Sequence, residues 1–170
     1  MFLRDAVELS RTMFGDVRRG SVARAALTQD SYTITTLNNL RVLARRWHVP
    51  FLNGFLRRLQ TLFYGIEIGS HVTLGDGVYF VHTQGIVIGG DAVIGDRVRF
   101  YGSNTVGTAK DNGYPTIEND VVVGAGARIL GPVRVGAGAR IGANAVVLTD
   151  VPPGSVAVGI PARIISGDSL

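Results

Sequence analysis

From residue 68 onward an aliphatic or aromatic residue returns every six positions, and that period leaves the chain very few architectures. The first run is Ile68, Leu74 and Phe80. After two extra residues it resumes at Ile88, Ile94, Phe100 and Val106, and after five more at Ile117, Val123, Ile129, Val135, Ile141 and Val147. Gly follows the aliphatic position at Gly69, Gly75, Gly89, Gly95, Gly107, Gly124, Gly136 and Gly142, and Val or Ala stands four after it, as at Val72, Ala92, Val121 and Ala145. A triangular prism accounts for this pattern, with three short strands per coil and an inward aliphatic on each, stacked on its equivalents above and below. Eighteen residues then make one coil, and about four to five coils fit between residues 66 and 150. The glycines are expected where the chain turns with backbone angles other residues avoid. A sandwich of short strands shares the Val and Ile content but has no reason to keep a six-residue phase through a dozen repeats. The expected fold is therefore mainly β, a parallel β-helix over residues 65–170 with a helical region over 1–64.

Composition agrees with this reading. A chain of 170 residues, 46% hydrophobic, suits one domain, and 18% charged residues beside 23 glycines is unlike a helical bundle. The absence of Cys excludes disulfides, thiolate metal sites and a Cys nucleophile, and no metal site is expected. Arg4, Asp5 and Glu8 interrupt what would be an apolar signal core, so a soluble, cytoplasmic protein is expected. Ahead of the repeat, Leu3 to Leu27 reads as helical with a break near Gly15 and Gly20. A polar stretch, Thr28 to Thr35, separates it from helices at Thr36–His48 and Phe51–Tyr64. Such helices would cap the open end of a solenoid. Ten arginines, Arg41 among them, lie in the first third and read as a solvated helix surface rather than a nucleic-acid face. A second reading is peripheral membrane association through Arg45, Arg46, Trp47, Phe51, Arg57 and Arg58.

The two departures from period are the places to look for chemistry. One is Phe80-Val81-His82-Thr83-Gln84-Gly85, and the other runs from Thr108 to Thr116. Gly65-Ile66-Glu67-Ile68, His82-Thr83-Gln84-Gly85-Ile86-Val87-Ile88-Gly89, Val123 to Gly131, Val151-Pro152-Pro153-Gly154 and Gly159-Ile160-Pro161-Ala162-Arg163 carry a specific signal. Across about Leu40 to Ile165 the sequence resembles the serine acetyltransferase branch of the hexapeptide-repeat acyltransferases. The resemblance implies left-handed coils, an acetyl-CoA donor, a homotrimer with sites between subunits, His82 as general base and Glu67 as the acid that orients it. An imidazole titrating near neutral pH is well matched to a hydroxyl that loses its proton during attack. For acetyl-CoA the resemblance points to Gly107, Thr108, Ala125, Ala127, Arg128, Arg140, Ala143 and Arg163. Ala125 and Ala143 are one eighteen-residue coil apart.

The sequence also departs from that branch. Val81 stands where the serine enzymes have Asp, and Gly113-Tyr114-Pro115 stands where they have Arg-His-Pro, in a shorter loop. An amino-acid acceptor would lack counter-charges there unless Arg97 or Arg99 reached it. A sugar hydroxyl, in cell-surface polysaccharide synthesis, is therefore the expected acceptor, with Tyr114, Tyr101 and Asn104 as its contacts. The alternatives are serine, in cysteine biosynthesis, and a catalytically degenerate scaffold, against which the retained His82 and Glu67 argue.

Overall fold

A computed structural model describes residues 2–165. Helices α1 (Phe2–Phe14), α2 (Arg19–Thr28), α3 (Asp30–Arg46) and α4 (Leu52–Tyr64) come first, and short strands fill the rest. The strands stack into three sheets that form the faces of a prism. The first sheet holds β1 (Ile66–Ile68), β4 (Ile86–Ile88), β7 (Thr105–Gly107), β10 (Arg128–Leu130) and β13 (Val146–Val147). The second holds β2 (Thr73–Leu74), β5 (Val93–Ile94), β8 (Thr116–Ile117) and β11 (Arg134–Val135). The third holds β3 (Tyr79–Phe80), β6 (Arg99–Phe100), β9 (Val122–Val123), β12 (Arg140–Ile141), β14 (Val156–Val158) and β15 (Arg163–Ile165). All pairings are parallel except β14 with β15, a hairpin that closes the last coil. This is a β-solenoid of about five turns.

The registers locate the extra residues. Ile88 lies on Val106 and Ile129 on Val147, each pair one eighteen-residue coil apart. Ile68 lies on Ile88, and Val106 on Ile129, so the two-residue and five-residue insertions loop out at corners without shifting any inward position. The interior is a column of buried Ile, Val and Ala, with Phe80 and Phe100 stacked at 5.6 Å between ring centres.

The glycines after the aliphatic position are there for a reason different from the one expected. Gly69, Gly75, Gly95, Gly124, Gly136 and Gly142 all have ordinary φ. A Cβ on Gly75 would lie 2.5 Å from the carbonyl carbon of Gly95, and one on Gly124 would lie 2.6 Å from the nitrogen of Ala143. At Gly69, Gly75, Gly95, Gly124 and Gly136 the next coil's backbone passes where a side chain would be, and at Gly142 the Val158 side chain takes that place.

The helical region also differs from the sequence reading. Helix α3 begins at Asp30 and takes in most of the stretch read as a polar break. Its polar side chains point inward: Ser31 Oγ accepts from Phe80 N at 2.9 Å, and Thr35 Oγ1 donates to the buried carboxylate of Asp5. Asp5 also accepts from Gly77 N at 2.8 Å, which fixes α1 to a corner of the first coil. Burial raises the Asp5 pKa above its ordinary 3.8, against the lowering effect of these two bonds. The folded chain therefore holds this proton more tightly than the unfolded one, and the stability that it contributes declines as pH rises past 3.8.

Arg41, read from sequence as solvated, is 2% exposed. Its guanidinium donates to Gln60 Oε1 at 2.6 Å, Asn53 Oδ1 at 3.1 Å, Ile68 O at 2.9 Å and Gly69 O at 3.3 Å. The last two are edge carbonyls of the first coil, which has no strand before it. One side chain thus supplies the donors a preceding strand would have given. Burial, followed by repulsion from Arg57 and Arg45, lowers its pKa to about 10, so it stays protonated at neutral pH. Arg41→Ala orphans several buried acceptors at about 1–3 kcal/mol each. A loss of roughly 3 kcal/mol or more is expected, a fall in Tm of about 6 °C or more in a thermal melt.

Candidate functional site

One edge of the prism, where the third sheet turns into the first, gathers most of the residues of interest. Its successive corners are 81–85, 101–104, 124–127 and 142–145. Backbone bonds tie them into a ladder: Gly85 N to Gly65 O, Ser103 N to Gln84 O, Gly126 N to Gly102 O and Asn144 N to Ala125 O, at 2.8–3.0 Å. His82 stands on the first of these corners, exposed to solvent. Ala125 and Ala143 stand on the third and fourth, also exposed. With coils spaced by roughly 4.8 Å, His82 is about 10 Å along the edge from Ala125.

Two residues that sequence reasoning did not connect with His82 shape the corner above it. Gly102 lies directly above it, and a Cβ there would be 3.0 Å from the His82 Cβ. Gly102 also has φ +100°, so the corner excludes a side chain twice over. Asn104 fixes that turn: its Oδ1 accepts from Gly102 N at 3.1 Å and its Nδ2 donates to Gly124 O at 2.7 Å. The amide is fully buried, which corrects the expectation that Asn104 contacts an acceptor. The spacing of two between Gly102 and Asn104, at the corner above His82, was the available signal.

Glu67 projects outward from β1 on the first sheet, one coil below His82 and beside the same edge. Its carboxylate lies 3.9 Å from Arg57, and among the described residues no hydrogen bond joins it to His82. His82 opens instead into a hollow of about 270 Å³ shared with Val81, Gln84, Asp30 and Ser31. The Ser31 bond to Phe80 holds the start of α3 against this hollow, so Asp30 borders it from the helical region.

Tyr114 and the 108–116 loop lie at a different edge, between the first and second sheets. The Tyr114 ring rests on Gly90, where any side chain would collide with it, and packs against the core. One face of the ring is therefore occupied within the chain. Tyr101 is exposed next to Gly102, on the His82 edge. Arg97 and Arg99 are both engaged within the chain. Arg97 grips Asp120 at 2.7 and 2.8 Å and holds its carboxyl below the ordinary range, while Arg99 donates to Thr12 O at 2.8 Å.

The expected donor-binding residues divide by geometry. Arg128 on the first sheet and Arg140 on the third flank the Ala125–Ala143 edge from its two sides, and Arg128 bonds Thr105 Oγ1 at 2.5 Å. Arg163 lies at the outer strand of the third sheet, two strands from Arg140. Among the described residues no backbone bond uses the N–H or C=O of Ala143. Ala127 is a correction: its methyl is fully buried, its N–H donates to Gly124 O and its C=O accepts from Thr105 N. Gly107 ends β7, and its carbonyl accepts from Gly131 N. The Thr108 hydroxyl is buried without a partner among the described residues.

Residues 114–149 match the family described as bacterial transferase hexapeptide (six repeats). A serine acetyltransferase of Helicobacter pylori strain J99 is 47% identical over 121 residues, 69% of this chain and 71% of that protein. The chain belongs to the hexapeptide-repeat transferases. A serine acetyltransferase of Synechococcus elongatus is 44% identical over 120 residues, 69% of this chain, and the chain spans about half (49%) of that relative's length. A solved serine acetyltransferase in complex with CoA superposes with a TM-score of 0.82 at 28% identity, over 95% of this chain and 67% of the other. No helix among the described residues of this transferase is long and apolar enough to cross a membrane. Since Asn104 holds the corner above His82, Asn104→Ala is expected to cost about 2 kcal/mol in chemical denaturation. A wild-type midpoint would show that its two bonds are dispensable.

Proposed function

We propose that this transferase is an acetyl-CoA-dependent O-acetyltransferase whose acceptor is the hydroxyl of L-serine. The observation that carries the reading is the shared edge: His82 lies on the same line of corners as Ala125 and Ala143, with Arg128 and Arg140 flanking it. A donor lying along this edge would bring its thioester toward His82, with its phosphates near the arginines. The backbone amide groups of Ala143, unpaired among the described residues, suit the amides of a pantetheine arm.

His82 acts as general base on the acceptor hydroxyl. The oxygen attacks the thioester carbonyl, a C–O bond forms as the C–S bond breaks, and the proton taken by His82 passes to the departing CoA thiolate. In this reading Glu67, beside the same edge one coil below, leaves its contact with Arg57 to orient the ring and steady its protonated form. With no Cys in the chain, direct transfer is simpler than an acyl-enzyme.

Serine replaces the sugar acceptor expected from sequence because the relatives sharing 44% and 47% identity are serine acetyltransferases. Asp30, which lines the same hollow as His82, supplies the counter-charge for an ammonium group that Val81 does not. A neutral sugar hydroxyl is the second reading, favoured by Val81 and by Gly113, which offer no charge. CoA release measured with L-serine, with nucleotide sugars and with no acceptor separates the two. Serine is expected to give the highest kcat/KM, and His82→Ala is expected to lower kcat by about 10²–10⁴-fold. A preference for sugars would move the acceptor to the second reading, and no release with any acceptor would make the chain a binding subunit.

We further propose a homotrimer. The flat outer faces of the first two sheets expose Val87 and Val93, which suits packing against a neighbouring copy. Sedimentation at micromolar concentration is expected to give three times the 18.1 kDa chain mass, and a clean monomer would overturn this.

A further inference from the structure

Residues 31–66 contain no Asp or Glu but five arginines: Arg41, Arg45, Arg46, Arg57 and Arg58. Arg41 is consumed inside the fold and Arg57 faces Glu67, whereas Arg45, Arg46 and Arg58 enter no ion pair among the described residues. The same segment exposes large apolar side chains: Trp47 is 70% exposed, Phe51 91%, Phe55 58%, Leu62 77% and Phe63 69%. Phe55, Arg58 and Leu62 follow one another at helical spacing and share one face of α4, with Phe51 at its N-cap. That face is not what holds α4 to the β-helix, since Leu56 and Gln60, on the opposite side, are its buried residues.

We propose that the end of α3, the turn at Trp47–Phe51 and the outer face of α4 form a docking surface for an anionic lipid bilayer. An interfacial helix needs an apolar face that reaches just below the headgroups, with cations beside it to meet lipid phosphates. The aromatic rings suit that depth, and the arginine stems lie along apolar surface while their heads stay in the polar layer. No carboxylate within residues 31–66 opposes an anionic surface, and Glu67, which borders Arg58 and Leu62, is faced by Arg57. A second copy docking through the same face would oppose two sets of unpaired guanidiniums, so like charges weigh against a self-contact.

Trp47 is the only tryptophan of the chain, so its emission reports directly on this surface. The full chain is mixed with vesicles of phosphatidylglycerol and phosphatidylcholine, and separately with vesicles of phosphatidylcholine alone. Co-sedimentation is expected to be at least about tenfold tighter on the anionic vesicles, weakened by added salt, with a blue shift of Trp47 emission on those vesicles only. The exposed pair Phe51→Ser with Phe55→Ser, and separately Arg45→Gln with Arg46→Gln, are each expected to lower binding about tenfold, with melting and sedimentation unchanged. Equal affinity for both vesicle types, or no binding to either, would overturn the proposal. So would a change of oligomeric state in the Phe variants, which would show the face to lie between copies.

Discussion

Everything in this molecule depends on how closely one coil lies on the next. Successive corners approach until backbone meets backbone, as where Gly75 faces Gly95 and Gly124 faces Ala143. That closeness permits the parallel bonds along each face and the continuous inner column of Ile, Val and Phe. It also builds the candidate site, because the ladder of backbone bonds that stacks the corners sets His82, Ala125 and Ala143 along one edge.

A solenoid solves its core problem by repetition and so has to solve its ends separately. At the start, the edge carbonyls of Ile68 and Gly69 have no preceding strand, and one buried guanidinium supplies the donors. At the finish, β15 turns back antiparallel on β14 and ends the repeat in a hairpin. Burying a charge among neutral acceptors is costly, but here a single planar group meets four acceptors arranged on two elements.

The coils were legible in the sequence because a six-residue phase has one geometric meaning, and both insertions fell where that phase broke. The reason for the glycines was not legible, since a clash with the next coil and a left-handed turn leave the same letter behind. The helical region misled for a related reason: Ser31, Thr35 and Arg41 are polar, and hydropathy reads such residues as outward although each is turned inward to a specific partner. In the site, His82 and the Ala125–Ala143 edge could be read from motif and spacing. Asn104 looked like a ligand contact because burial is invisible in a loop sequence, and Asp30 reaches the hollow only through the docking of α3.

The looping-out of extra residues at corners has a consequence for how such a protein changes over generations. Two residues added at 81–85 and five added at 108–115 leave every inward position in register. The fold behaves like a ruler whose graduations are fixed while the tabs at its edges are free to lengthen. A tab at the edge between the first and second sheets can be rebuilt without moving the line of corners that carries His82, Ala125 and Ala143. New partner molecules can thus be explored by insertion and deletion at one edge, while the line of corners on another keeps its spacing.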